Sequence, residues 1–157
     1  MDKKIRVIST ALLMCVIASL LIPIVTAGPE LTITSPINGE LTGIEVYVEG
    51  TFTGNIPHPD EGYWLLTNPM DSNGVWPGAP IEFTFDGKWN GTWRGKHAIY
   101  LTGDPNQLQQ PFRIIVAKVN PPTHDLYVYR LENEIYGYIG MQPGTHVLVD
   151  IVVERLK

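Results

Sequence analysis

Apolar and polar residues alternate along most of this chain, and in a few stretches the alternation stops. The clearest interruption is Gly62-Tyr63-Trp64-Leu65-Leu66-Thr67, where four bulky apolar residues follow one another. A strand wetted on one face alternates, whereas a strand covered on both faces need not. The run therefore predicts a central strand, with Trp64 as the largest side chain in the core of a two-layer sandwich. Phe112–Val119 is rich in β-branched residues and apolar on both faces, which predicts a second central strand ended by Asn120-Pro121-Pro122.

Around these two runs the pattern has a period of two. Leu31-Thr32-Ile33-Thr34-Ser35 alternates up to Pro36, and Asn38-Gly39 reads as a turn. Ile44, Val46 and Val48 alternate with Glu45, Tyr47 and Glu49, predicting one half-buried strand that Gly50 and Phe52 continue. Ile81, Phe83 and Phe85 share a face. Asp86-Gly87 is a hairpin turn signal, and Trp89 and Trp93 are expected to flank Gly91 on the inward face of the next strand. A short strand over His97–Leu101 and a polar loop over Thr102–Gln110 follow. Val147, Val149, Ile151 and Val153 predict a last strand facing the core. Between Asn68 and Pro80 the residues Pro69, Asn73, Gly74, Pro77 and Gly78 predict a long loop that carries Trp76.

Thr123–Gly140 carries two signals. Its four tyrosines favour strand, while Thr123 can cap a helix whose Val128, Leu131 and Ile135 share a face. The balance favours one short helix near residues 123–133. The expected fold is all-β, an antiparallel sandwich of seven to nine short strands with that helix.

Composition adds a compartment. Lys3, Lys4 and Arg6 precede an apolar run from Val7 to Ile24, and Val25-Thr26-Ala27 supplies the small residues of a cleavage site. This is the layout of a secretory signal peptide over residues 1–27, with one domain over 28–157. The rival reading is an uncleaved anchor, with residues 7–24 crossing the membrane. Removing residues 1–27 takes away three basic residues and one acidic residue, so the net charge moves from −5 to −7. An acidic domain repels phosphate backbones, and nucleic acid is not an expected partner. The one cysteine, Cys15, leaves with the signal, so the domain rests on its core without a disulfide.

A family resemblance can now be stated. Ile33-Thr34-Ser35-Pro36-Ile37-Asn38-Gly39 followed by Val46-Tyr47-Val48-Glu49-Gly50 resembles the opening of immunoglobulin-like modules in exported bacterial and archaeal proteins. Tyr63-Trp64-Leu65-Leu66, Pro69, Trp76-Pro77, Asp86-Gly87-Lys88-Trp89, Phe112-Arg113-Ile114, Pro143-Gly144 and Glu154-Arg155 continue the likeness in order. The resemblance implies an immunoglobulin-like β-sandwich over the whole domain. It implies no activity and carries over no catalytic residues.

The residues themselves offer little chemistry. Ser35 and Ser72, the two serines after residue 27, sit in turn sequences outside any nucleophile motif. His58, His97, His124 and His146 show no metal-ligand spacing, and no cofactor is expected. Asp71-Ser72-Asn73-Gly74 resembles the start of a calcium loop without its closing acid; Asp60, Glu61 and Asp104 are the acids that could approach it. A turn held by Asx hydrogen bonds is the simpler reading. Asn90-Gly91-Thr92 is a glycosylation sequon with Asn90 expected outward. Aromatic rings are the best ligand contacts, and Trp76, with Asp71 and Asn73 in the same expected loop, heads them. Taken together these observations point to a non-catalytic, exported interaction or structural module that meets a protein or glycan at the cell surface or in the envelope. The alternative is a carbohydrate-binding module using loop aromatics. A small hydrolase or metalloenzyme comes third.

Overall fold

The computed structural model describes residues 29–56, 58, 62–102, 109–135 and 137–156. The expected signal or anchor segment lies outside the described residues, as do Asp60, Glu61 and Asp104. In chain order the elements are β1 (Glu30–Ser35), β2 (Leu41–Thr42), β3 (Glu45–Val46), β4 (Glu49–Thr53), β5 (Tyr63–Pro69), β6 (Gly74–Phe85), β7 (Asn90–Gly95), β8 (Ile99–Tyr100), β9 (Gln109–Val119), α1 (Pro121–Glu132), β10 (Ile139–Gly140) and β11 (Thr145–Leu156). Among the described residues the fold is all-β with one short helix. Seven of the strands have five or more residues, and the other four are two-residue pairings.

The main sheet runs β1-β4-β7-β6-β5-β9-β11-β2, with β10 paired to β6 and a separate β3–β8 pair. Its pairings are antiparallel except for the short parallel contact of β2 with β11. Sequence patterning suggested two sheets; here both layers are arms of one curled sheet. β6 is the shared strand, pairing with β5 through Trp76–Pro80 and with β7 through Ile81–Phe85. The arms face each other across a core that joins Leu31, Phe52, Ile81 and Trp93 of one to Leu65, Phe112, Ile114, Val116 and Val153 of the other. Trp93 fits because Gly50 leaves room: a Cβ there would lie 2.5 Å from the indole and 1.8 Å from the Thr32 carbonyl oxygen.

β5 is central, flanked by β6 and β9, and buried on both faces as its unbroken run implies. The faces differ. Tyr63 and Leu65 enter the core between the arms, whereas Trp64 and Leu66 face outward and are covered by α1. Trp64 thus packs between sheet and helix, not between sheets, against Tyr127 and His124 at 5.2 and 5.8 Å. A helix is needed here because Trp64, Leu66, Ile115 and Ala117 would otherwise leave an apolar face in water. It starts at Asn120, whose Oδ1 accepts from the Thr123 N–H at 3.2 Å; Thr123 is therefore not the cap but instead donates its hydroxyl to the Pro143 carbonyl. Pro121 and Pro122 fill the first positions, where a missing N–H does no harm.

Several expectations give way to non-local pairing. The expected strand over 44–52 breaks into β3 and β4: Val46, Val48, Gly50 and Phe52 keep their inward face, but Ile44 is 51% exposed. Trp89 is 48% exposed while Trp93 is 1% exposed, because residues 86–89 form the hairpin loop and the strand begins only at Asn90. The strand expected over His97–Leu101 shrinks to the two residues of β8. In β11 a bulge at Leu148 turns Val147 outward while Leu148, Val149 and Ile151 pack on the core. The long loop expected over Asn68–Pro80 is also absent. Only 70–73 turn, and Trp76 lies within β6.

Candidate functional site

Two prolines and a glycine made the Trp76 segment look irregular, and their placement explains why it is a strand. Trp76 pairs with Thr67, Pro77 with Leu66 and Ala79 with Leu65, so Gly78 is a bulge residue. On its other edge β6 pairs with β10 at Gly74–Val75 and with β7 from Ile81, and between the two, among the described residues, Pro77–Pro80 have no second ladder. Bulges and unpaired edges are where a ladder tolerates proline. The β7–β8 loop runs along this gap: the Lys96 N–H donates to the Pro80 carbonyl at 2.9 Å, and His97 Nε2 lies 3.2 Å from the Gly78 carbonyl. A carbonyl only accepts, so His97 carries its proton on Nε2.

A hollow of about 200 Å³ opens at this gap, lined by Thr67, Trp76, Gly78, His97, Ala98, Tyr100 and Leu131. Trp76 is half-buried and meets the Tyr138 ring edge-on at 5.7 Å and 88°. Tyr138 in turn donates its hydroxyl to the Thr102 carbonyl. Burial pushes the Tyr138 hydroxyl pKa up; the Thr102 hydrogen bond opposes this, and the Asp71 charge adds to the rise.

Asp71 is not among the residues that line the hollow. Asp71 occupies the turn between β5 and β6, with both carboxylate oxygens 3.3 Å from Nε2 of the buried Gln110. Asn68 Nδ2 donates to the carbonyls of Ser72 at 2.9 Å and Gly74 at 2.6 Å, and Ser72 Oγ accepts from the Gly74 N–H. The bond from Gly74 to Ser72 is a serine-type turn, and the Asn68 amide ties the same turn to the end of β5. Asn73 is exposed on the same turn. No three His, Cys, Asp or Glu side chains gather as a metal site among the described residues. Asn90 is exposed at the start of β7 opposite Thr53, and Thr92 of its sequon is exposed too.

Sequence reasoning missed Tyr100, His97 and Tyr138. Their signal was the presence of large rings at polar positions of the alternation, the same signal that marks Tyr47.

A second cavity of about 400 Å³ lies at the start of α1, lined by His58, Gly62, Lys118, Val119, Pro121, His124 and Asp125. His58 holds a left-handed backbone at φ 52°, which is uncommon for a residue with a Cβ. The Lys118 ammonium sits 5.6 Å from the Tyr63 ring centre. The helix terminus supplies no open N–H groups here: Pro121 and Pro122 have none, and those of Thr123 and His124 bond to Asn120. Any ligand of this cavity would find no open N–H at the helix terminus.

No protein-family model matches this chain, and no curated protein or solved structure matches it either.

Proposed function

We propose that this chain is a non-catalytic exported module with an immunoglobulin-like sandwich, and that it binds a surface or envelope ligand through the Trp76 hollow. The observation that supports this reading is the state of Trp76: its indole is neither sealed in the core nor loose on a turn, but forms one wall of a concave site. A ring held by β6 and by the Tyr138 edge loses little freedom on binding. The second reading, a carbohydrate-binding module, draws on the aromatic lining, since Trp76 and Tyr100 flank hydrogen-bonding groups of Thr67 and His97.

The test is Trp76→Ala, assayed for binding to isolated cell-envelope material and for its denaturation midpoint. Lost binding with a nearly unchanged midpoint supports the module reading. Unchanged binding, or a loss of about 3 kcal/mol in stability, makes the ring a core lid instead. Export has its own test: N-terminal sequencing of protein from the native host should begin at Gly28, whereas an intact N-terminus in the membrane fraction would favour the anchor.

A further inference from the structure

The hollow is not an isolated feature. Tyr100, on its rim, is 53% exposed and stands directly opposite Glu45 in the β3–β8 pair. Residues directly opposite in an antiparallel pair project to the same side. Glu45 in turn accepts a hydrogen bond of 3.3 Å from the hydroxyl of Tyr47, which is 71% exposed. On the far side of the hollow, Trp76 meets Tyr138. These relations link four rings from four separate chain segments into one stripe: Tyr47 to Tyr100 through Glu45, Tyr100 to Trp76 across the hollow, and Trp76 to Tyr138 ring to ring. Glu45 joins the first two rings, and His97 lines the hollow with Tyr100 and Trp76.

We propose that this stripe is a platform for an extended neutral glycan, with Trp76 and Tyr100 at its centre and Tyr47 as an outlying subsite. The inference rests on the module reading above and names its ligand class. Three observations favour a sugar chain over other occupants. The rings are tyrosines and a tryptophan, whose faces suit sugar C–H groups, and the Tyr47 and Tyr100 rings are exposed. The groups interleaved with them, Glu45 and His97, are hydrogen-bonding partners for hydroxyls. The net charge of the chain is −5, and Glu45 sets a carboxylate beside Tyr47 and opposite Tyr100, so acidic polymers would be disfavoured at that end. The linear arrangement fits a polymer, because one sugar would touch only one or two of the rings.

The experiment is titration of the purified chain with neutral β-glucan, mannan and chitin oligosaccharides, from disaccharide to hexasaccharide, for the native sequence, Tyr47→Ala and Trp76→Ala. Tyr47 is so exposed that its loss leaves the core intact. The expected result is tighter binding of one series as it lengthens. Tyr47→Ala should weaken the hexasaccharide about tenfold and spare the disaccharide. Trp76→Ala should lose both. A hexasaccharide held no tighter than a disaccharide, or a hexasaccharide indifferent to Tyr47→Ala, overturns the platform. If no neutral glycan binds while Trp76→Ala still loses envelope binding, the ligand class is wrong and the module reading stands. If envelope binding is the same with and without the indole, the module reading falls and the platform falls with it.

Discussion

The indole Nε1 of Trp64 donates to Nδ1 of His124 at 3.2 Å, joining the central strand to the first turn of the helix that covers it. Accepting at Nδ1 leaves the neutral imidazole with its proton on Nε2. Nitrogen-detected NMR should show the Nε2–H tautomer of His124. His124→Ala would strand a buried indole N–H and is expected to cost about 1–3 kcal/mol. Trp64→Ala also removes the ring between sheet and helix, and about 3–5 kcal/mol is expected. A Trp64→Ala midpoint close to the native one would show that α1 does not seal this face.

Gly50 tests the opposite layer. A Cβ there would meet backbone as well as the Trp93 ring, so neither can give cheaply. Gly50→Ala is expected to cost about 3 kcal/mol or more. Gly43 provides the control: it has nothing within 4 Å and no left-handed φ, and Gly43→Ala should be close to neutral by denaturation.

Arg113 and Asp150 form a two-pronged pair across β9 and β11, at 2.7 and 3.0 Å. The hydrogen bond from Arg113 holds the Asp150 carboxyl below its ordinary 3.8. A depressed carboxyl stabilises the fold above its unfolded value and loses that contribution as pH falls through the folded value. With the side chains 38% and 32% exposed, solvent screens the pair and about 0.5 kcal/mol is expected. The stability gap between the native sequence and Asp150→Asn should stay constant from neutral pH to mildly acidic conditions and close only below 3.8. A gap that closes near neutrality would point to another group.

Asn90 is exposed on a hairpin strand, within reach of a modifying enzyme. Expressed in a glycosylating host, the chain should carry a glycan that Asn90→Gln removes, with the mass falling to that of the bare polypeptide. The substitution should shift stability by less than about 0.5 kcal/mol. An unmodified Asn90 in such a host would mean the sequon is a chance match.

What the sequence made legible was whatever depends on neighbours along the chain. The unbroken run around Trp64 could only be a strand covered twice, and it is. Asn120-Pro121-Pro122 was legible as the end of a strand, but the same asparagine also caps the helix, which a reading limited to β9 does not reveal. Trp76 was hidden by local rules that are sound in themselves. Proline and glycine usually mean loop, and they were overridden by a bulge and by a gap between the β10 and β7 ladders, both set by segments far away in sequence. Trp89 was misplaced because a period of two was counted through a hairpin loop, where the period does not hold. The stripe was the least legible part. That Tyr47 points outward could be read from alternation, but that Tyr100 stands beside its neighbour Glu45 depends on the β3–β8 pairing alone.

Because β6 belongs to both arms of the sheet, neither arm can open by itself. Releasing the β1 side breaks the ladder at Ile81–Phe85, and releasing the β11 side breaks it at Trp76–Pro80, so each exposes the core the other needs. The amides of Leu65 and Ile115 in one arm and of Phe52 and Trp93 in the other should therefore exchange with solvent at one common free energy, that of global unfolding. Proteolysis should find no durable half-domain, and the rings of the stripe, drawn from both sides of this junction, would keep their alignment until the whole chain unfolds.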